Sequence, residues 1–157
     1  MRMLKYPLLA LLAALLTASI GFTAEKGSFK ATLSGGEAVP KVKTLAKGEA
    51  EFKLSKDGKE FTYKLTVKDI ENVTAAHIHL GKKGIEGPPV AGLFAGPKKE
   101  GKFSGVLAEG VITEKELLGS VSGKPLKELV KLIKSGDAYV NVHTDGYPVG
   151  ELRGQIK

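Results

Sequence analysis

From Ser28 to Ile156 apolar side chains recur at every second position, in one short segment after another, and this period of two constrains the chain more than any other feature. Successive side chains of a strand point to opposite faces, so each such segment buries one face and solvates the other. Phe29, Ala31 and Leu33 alternate first. Ala46, Gly48, Ala50, Phe52 and Leu54 follow, set against Lys47, Glu49, Glu51 and Lys53. Phe61, Tyr63, Leu65 and Val67 repeat the pattern. Between these two runs, Ser55-Lys56-Asp57-Gly58-Lys59 puts an Asp-Gly pair where a tight hairpin needs positive φ. Ala76, Ile78 and Leu80 alternate with Ala75, His77 and His79, ahead of a Gly- and Pro-rich loop from Gly81 to Pro89. Val90 to Phe94 and Phe103 to Val111 read as further strands. A last hairpin pairs Ala138, Val140 and Val142 with Leu152, Gly154 and Ile156 across a turn at Asp145-Gly146-Tyr147-Pro148.

Two short helical segments interrupt the alternation between residues 113 and 134. Thr113-Glu114-Lys115-Glu116 fits a capping box, with Gly119 as the stop. Pro125 suits a first helical position, Leu126, Leu129, Val130 and Ile133 share one face, and Ser135-Gly136 ends the segment. Short strands at close spacing with Gly and Pro turns indicate an all-β fold, an antiparallel Greek-key-like sandwich or barrel. One domain over residues 25–157 accounts for the length.

Residues 1–24 differ from the rest. Arg2 and Lys5 precede an apolar run from Leu8 to Leu16, followed by small residues through Ala24, the layout of a secretory signal peptide. We expect cleavage near Ala24 and a secreted or periplasmic domain with no membrane span afterwards, a retained N-terminal anchor being the other reading. Cysteine is absent, which excludes disulfides, zinc fingers, iron–sulfur clusters and a thiol nucleophile. Any metal must therefore sit on histidine or oxygen. The formal charge of +7 is modest, and Arg2 and Lys5 supply two of those charges. No aromatic–basic interleaving marks a nucleic-acid surface, so we expect no nucleic-acid partner. Nucleophile elbows, phosphate-cradling loops and His-Glu-x-x-His are also absent.

The chain has three histidines, and all lie in two of the strand segments. In Ala76-His77-Ile78-His79-Leu80 a spacing of two puts both imidazoles on one face, about 7 Å apart at the Cα atoms. Val140 and Val142 take the apolar face of the other segment, so His143 points the opposite way, as does Asn141. If the two strands are neighbours, a three-imidazole site forms, suited to Zn(II) or Cu(II). Glu151 or Asp145 could add an oxygen ligand or accept an imidazole N–H. Histidines on a polar strand face also serve as ordinary hydrogen-bonding residues, and that reading stands beside the metal one. Glu151 and Arg153 lie two apart opposite Leu152 and could pair with each other or with partners on neighbouring strands, in a structural role.

At these residues the chain resembles a known family. Ala76-His77-Ile78-His79-Leu80-Gly81 with Gly84 and Gly87-Pro88-Pro89-Val90, and Gly136-Asp137-Ala138-Tyr139-Val140-Asn141-Val142-His143-Thr144 with Tyr147 to Ile156, are similar to the two signature blocks of the CHRD (chordin-type) domain. Ala31 to Pro40 is similar to that family's opening. The resemblance implies an extracellular domain, commonly a single-domain secreted protein in bacteria. The growth-factor partner of chordin does not carry over, because the cysteine-rich modules are missing. In order, the histidines are also similar to the copper ligands of Cu/Zn superoxide dismutases, whose further histidines and disulfide this chain lacks.

The resulting expectation is a secreted or periplasmic protein that binds one divalent transition metal, copper or zinc, through His77, His79 and His143. Glu151, Arg153, Asn141 and Asp145 would support them or serve the fold. The alternative is a metal-free extracellular module whose Gly/Pro loop and basic residues Lys82, Lys83, Lys98 and Lys99 contact a protein or envelope partner. Metal-dependent redox turnover is a third, minor reading, and binding is favoured over catalysis.

Overall fold

The computed structural model describes residues 27–157; the expected signal segment lies outside them. The chain forms β1 (Ser28–Ser34), β2 (Lys47–Leu54), β3 (Phe61–Leu80), β4 (Pro89–Phe94), β5 (Lys99–Ile112), helix α1 (Lys127–Lys134), β6 (Ala138–Thr144) and β7 (Leu152–Gln155). All strand pairs are antiparallel. Neighbours run β2-β1-β7-β6-β3, and pairing of β3 with β2 closes these five strands into a barrel, with β4 and β5 added on β3. The expected all-β architecture therefore takes its barrel form.

β3 departs most from the sequence reading. The alternation reads as two strands, Phe61–Val67 and Ala76–Leu80, whereas the chain runs through both as a single strand of 20 residues. Buried side chains between them fall three apart, at Val67, Ile70, Val73 and Ala76, which breaks a period of two. Bulges absorb each extra residue: the register with β5 shifts between Val67 and Ile70 and again between Glu71 and Val73, and that with β6 shifts between Val73 and Ala75. Asp69 and Asn72 take the positive φ that two of these bends require, 54° and 52°. Asp and Asn tolerate that region better than other residues with a side chain. Asn72 Oδ1 accepts from the Gly101 amide at 2.8 Å, and the Asp69 amide donates to Ser104 Oγ at 2.9 Å. The N-terminal half of β3 thus pairs with β2 and β5, and the C-terminal half with β4 and β6.

Other elements follow the pattern closely. The β2–β3 hairpin turns at Ser55–Glu60 with Gly58 at φ 73°, while Asp57 keeps a negative φ and instead accepts from Ser55 Oγ at 2.7 Å. The capping box at Thr113 forms, with the Thr113 amide donating to Glu116 Oε2 at 2.7 Å, but on a single 3-10 turn, Glu114–Glu116. Leu117 leaves that turn to bridge Ala91, and the Leu118 amide donates to the Val90 carbonyl at 2.8 Å; sheet pairing overrides the local helix signal. α1 lays Leu129, Val130 and Ile133 into the core. Gly154 sits where β7 crosses β1 so closely that a Cβ would collide with the Thr32 carbonyl.

At the base of the barrel Phe61 stacks on Phe52 at 5.1 Å between ring centroids and meets the edge of Phe29 at 5.8 Å. Phe61 has no exposed surface, so truncation removes a full aromatic side chain and leaves a cavity. Phe61→Ala should cost about 3–5 kcal/mol in urea unfolding. Val106→Thr, on the solvated face of β5, should stay within about 0.5 kcal/mol of the parent.

Candidate metal centre

Ala76 and Ile78 turn into the core, which obliges His77 and His79 to point outward. Across the β3–β6 pair His79 lies opposite Tyr139, His77 opposite Asn141, and Ala75 opposite His143. On β7, Arg153 pairs with Asn141 and Gln155 with Tyr139. One sheet face therefore carries His77, His79, Tyr139, Asn141, His143, Arg153 and Gln155 side by side. Water would ordinarily cover such a face. Here the β3–β4 loop, residues 81–88, and the β6–β7 loop, residues 145–151, fold over it, and Arg153 is 2% exposed.

The loops are fastened by the panel's own side chains. Arg153 Nη2 donates to the Lys82 and Ile85 carbonyls at 2.8 and 2.9 Å. Gln155 Nε2 donates to the Gly81 carbonyl at 3.0 Å, and Asn141 Nδ2 to the Val149 carbonyl at 2.9 Å. The Gly87 amide donates to Tyr139 Oη at 3.1 Å. Gly87 lies so close to the Leu80 carbonyl that no Cβ fits there.

The three imidazoles meet under this roof. Ring centroids lie 5.3 Å apart for His77–His143, 5.6 Å for His77–His79 and 5.7 Å for His79–His143. One nitrogen from each falls within 4.8 Å of the other two. His79 Nδ1 lies 2.9 Å from the Gly87 carbonyl, and His143 Nδ1 2.9 Å from the Pro148 carbonyl. A carbonyl only accepts, so each Nδ1 carries the proton and each Nε2 keeps its lone pair. His79 Nε2, His143 Nε2 and His77 Nδ1 are buried with no hydrogen-bond partner. Leaving a buried polar atom unpaired costs about 1–3 kcal/mol, and three together in a folded protein call for an explanation.

The electrostatics keep the rings neutral. Burial pushes His77 down to about 4, with His143 and His79 adding to the shift. Burial also lowers His79, opposed by its bond to the Gly87 carbonyl and reinforced by His143 and the Arg153 cation. His143 is lowered by burial against the Pro148 carbonyl. Neutral imidazole is the form that ligates a metal. Metal–imidazole bonds of about 2.0–2.1 Å would draw these nitrogens closer together than they stand without an ion. Among the described residues this is the one group of three His, Cys, Asp or Glu positioned to hold an ion.

Residues singled out as supports divide into two sets. Asn141 and Arg153 stand in the panel and fasten its loops. Glu151 and Asp145 are engaged elsewhere: Glu151 accepts from Thr44 Oγ1 at 2.7 Å and Thr144 Oγ1 at 2.8 Å, and Asp145 pairs with Lys98 at 2.9 Å. Of the two pairings open to Glu151 and Arg153, with each other or with neighbouring strands, Glu151 takes the second: it precedes β7, and the Thr44 and Thr144 hydroxyls claim its carboxylate. Backbone carbonyls take the role expected of a carboxylate, and nothing in the residue types of Gly87 or Pro148 signals that. Tyr139 was legible as a neighbour, since it alternates onto the same face as His143. Its ring stacks on His79 at 5.3 Å, and the Arg153 guanidinium lies 3.6 Å from its centre.

The basic residues give less. Lys83 pairs with Glu37 at 3.0 Å, and Lys98 with Glu100 and Asp145. Half of the four lysines offered as an anionic-partner surface are thus partly neutralised.

No curated protein and no solved structure matches the chain. The family model for the CHRD domain matches residues 29–156, from the start of the first barrel strand to the end of the last hairpin and including all three histidines. The chain belongs to the CHRD domain family.

Proposed function

We propose that this CHRD domain is an extracellular or periplasmic protein that binds one divalent transition-metal ion, copper or zinc, through His77, His79 and His143. The observation that carries the reading is the convergence of three imidazoles, one nitrogen of each within 4.8 Å of the other two, with a buried, unpartnered nitrogen on every ring. A merely structural cluster would pair those nitrogens within the protein, as the side-chain nitrogens of Asn141 and Gln155 are paired by donating to main-chain carbonyls. Imidazole donors of this kind suit copper and zinc and are poor for magnesium or calcium. A binding or carrier role fits better than turnover, because the three converging groups are all imidazoles that would serve as ligands. The family and the layout of residues 1–24 support a location outside the cytoplasm, and among the described residues no helix is long and apolar enough to cross a membrane.

Exposed Ile85, Tyr147 and Val149 on the two roofing loops favour a second reading, a surface that contacts an extracellular or envelope partner. The two readings separate on metal content. Protein purified from the periplasm without a polyhistidine tag should carry about one copper or zinc per chain. His77→Ala, His79→Ala and His143→Ala should each weaken uptake by more than about a hundredfold, beyond what loss of an outer hydrogen-bond partner costs. Each variant should keep the wild-type far-ultraviolet circular dichroism. A wild type that takes up neither Cu(II) nor Zn(II) at micromolar levels ends the metal reading and leaves the loop surface.

The metal-free protein should also betray its neutral imidazoles. His77 titrates at about 4 when folded and near 6.5 when unfolded, so the unfolded chain binds more protons across that interval. Stability is then fully present above about pH 6.5 and is lost as the pH falls towards 4. Urea midpoints measured from pH 7.5 to 4 should fall over this window, and His77→Gln should flatten the slope. A slope unchanged in that variant contradicts a buried neutral His77.

A further inference from the structure

Tyr139 lies on β6, between β3 and β7, and its ring is flanked by side chains from both. On the β3 side His79 stacks on it at 5.3 Å with the planes 21° apart. On the β7 side the Arg153 guanidinium lies over the ring, 3.6 Å from its centre. A cation, an aromatic ring and an imidazole ligand therefore form one stack that ends at the proposed metal. Arg153 is 2% exposed, and no carboxylate is paired with it: Nη2 reaches only carbonyl oxygens and the Gln155 amide, and Nη1 is buried without a partner. Its charge is uncompensated at short range. The three ligands are neutral as well, so no anion in the ligand set offsets the charge of a bound ion.

These two facts set a preference between ions that differ by one charge. A buried cation under about 10 Å from a metal, at an effective dielectric near 20, disfavours the more highly charged ion by about tenfold in affinity relative to a site without it. A trigonal set of neutral imidazoles provides no counter-charge to reverse that. Glu86, exposed on the roofing loop and beside His79 and Tyr139 in the adjoining cleft, opposes Arg153, as does Glu37, whose carboxylate is paired with Lys83.

We propose that Arg153, acting through the Tyr139–His79 stack, tunes the three-histidine centre towards monovalent over divalent copper. The inference rests on the metal reading above, and makes Arg153 a positioning and charge-tuning residue whose clamp on the 81–88 loop is a separate duty. It also gives a reason for a buried arginine where a neutral side chain would close the same loop.

The test measures dissociation constants for Cu(I), under anaerobic conditions with a competing chromophoric chelator, and for Cu(II), on full-length mature protein. Weakening the loop clamp should affect both ions alike, so the ratio of the two constants isolates charge from packing. Arg153→Gln should shift that ratio about tenfold in favour of Cu(II), and Arg153→Lys, which keeps the charge, should stay within about threefold of wild type. Glu86→Gln should move it several-fold the other way. An unchanged ratio in Arg153→Gln, or an equal shift in Arg153→Lys, overturns the proposal. If Arg153→Gln does not fold, the exposed Glu86→Gln variant decides: no shift there also overturns it. A wild type that binds neither copper ion is a different outcome, because it removes the metal reading itself.

Discussion

The register of β3 is the constraint on which both the barrel and the histidine panel depend. Four strands read their alignment from it, two along each half, and the bulges between Val67 and Ala76 are what allow one strand to serve both. Each bulge adds one residue and turns the following side chains to the other face. Without that correction a strand that buries Phe61, Leu65 and Val67 would bury His77 and His79 and expose Ile78. Three such steps, Val67 to Ile70, Ile70 to Val73 and Val73 to Ala76, leave a net reversal, so the chemistry of the outer face is decided several residues upstream, with Asp69 and Asn72 supplying the left-handed backbone within that stretch.

Desolvation is the second organising force. A polar sheet face left open would keep its histidines near their ordinary titration range and its nitrogens hydrated. Roofing it with two loops removes the water, lowers all three imidazoles and strands three nitrogens. The folded domain carries that cost against a continuous apolar core running from Phe29 to Ile156. It does so with no cysteine to brace it.

Much of this was readable from residue order, and the omissions share one cause. Alternation located both hairpins, the apolar face of α1 and the side on which His77, His79 and His143 stand, because period and side-chain direction are local properties of a strand. It did not show that Val67 to Ala76 is continuous strand, since bulges erase the period that identifies a strand. The capping box at Thr113 was legible, but the bridge from Leu117 to Ala91 that cuts the helix short is a contact between distant residues. Spacing left Glu151 open to Arg153 or to a neighbouring strand; the hydroxyls of Thr44 and Thr144 that hold it come from other parts of the chain. The anchors of His79 and His143 are main-chain carbonyls, which every residue carries, so the residue types of Gly87 and Pro148 could not disclose them.

Those two carbonyl bonds fix more than a proton's position. An imidazole on a strand can turn over about its outer torsion, which puts a ring carbon where each nitrogen stood. His79 and His143 cannot do so while residues 81–88 and 145–151 stay closed, because turning would exchange a bonded Nδ1 for a bare carbon against the carbonyl. The choice of which atom faces inward is therefore made once, when the chain folds, and the conformational freedom that a recognition event would otherwise consume has already been given up.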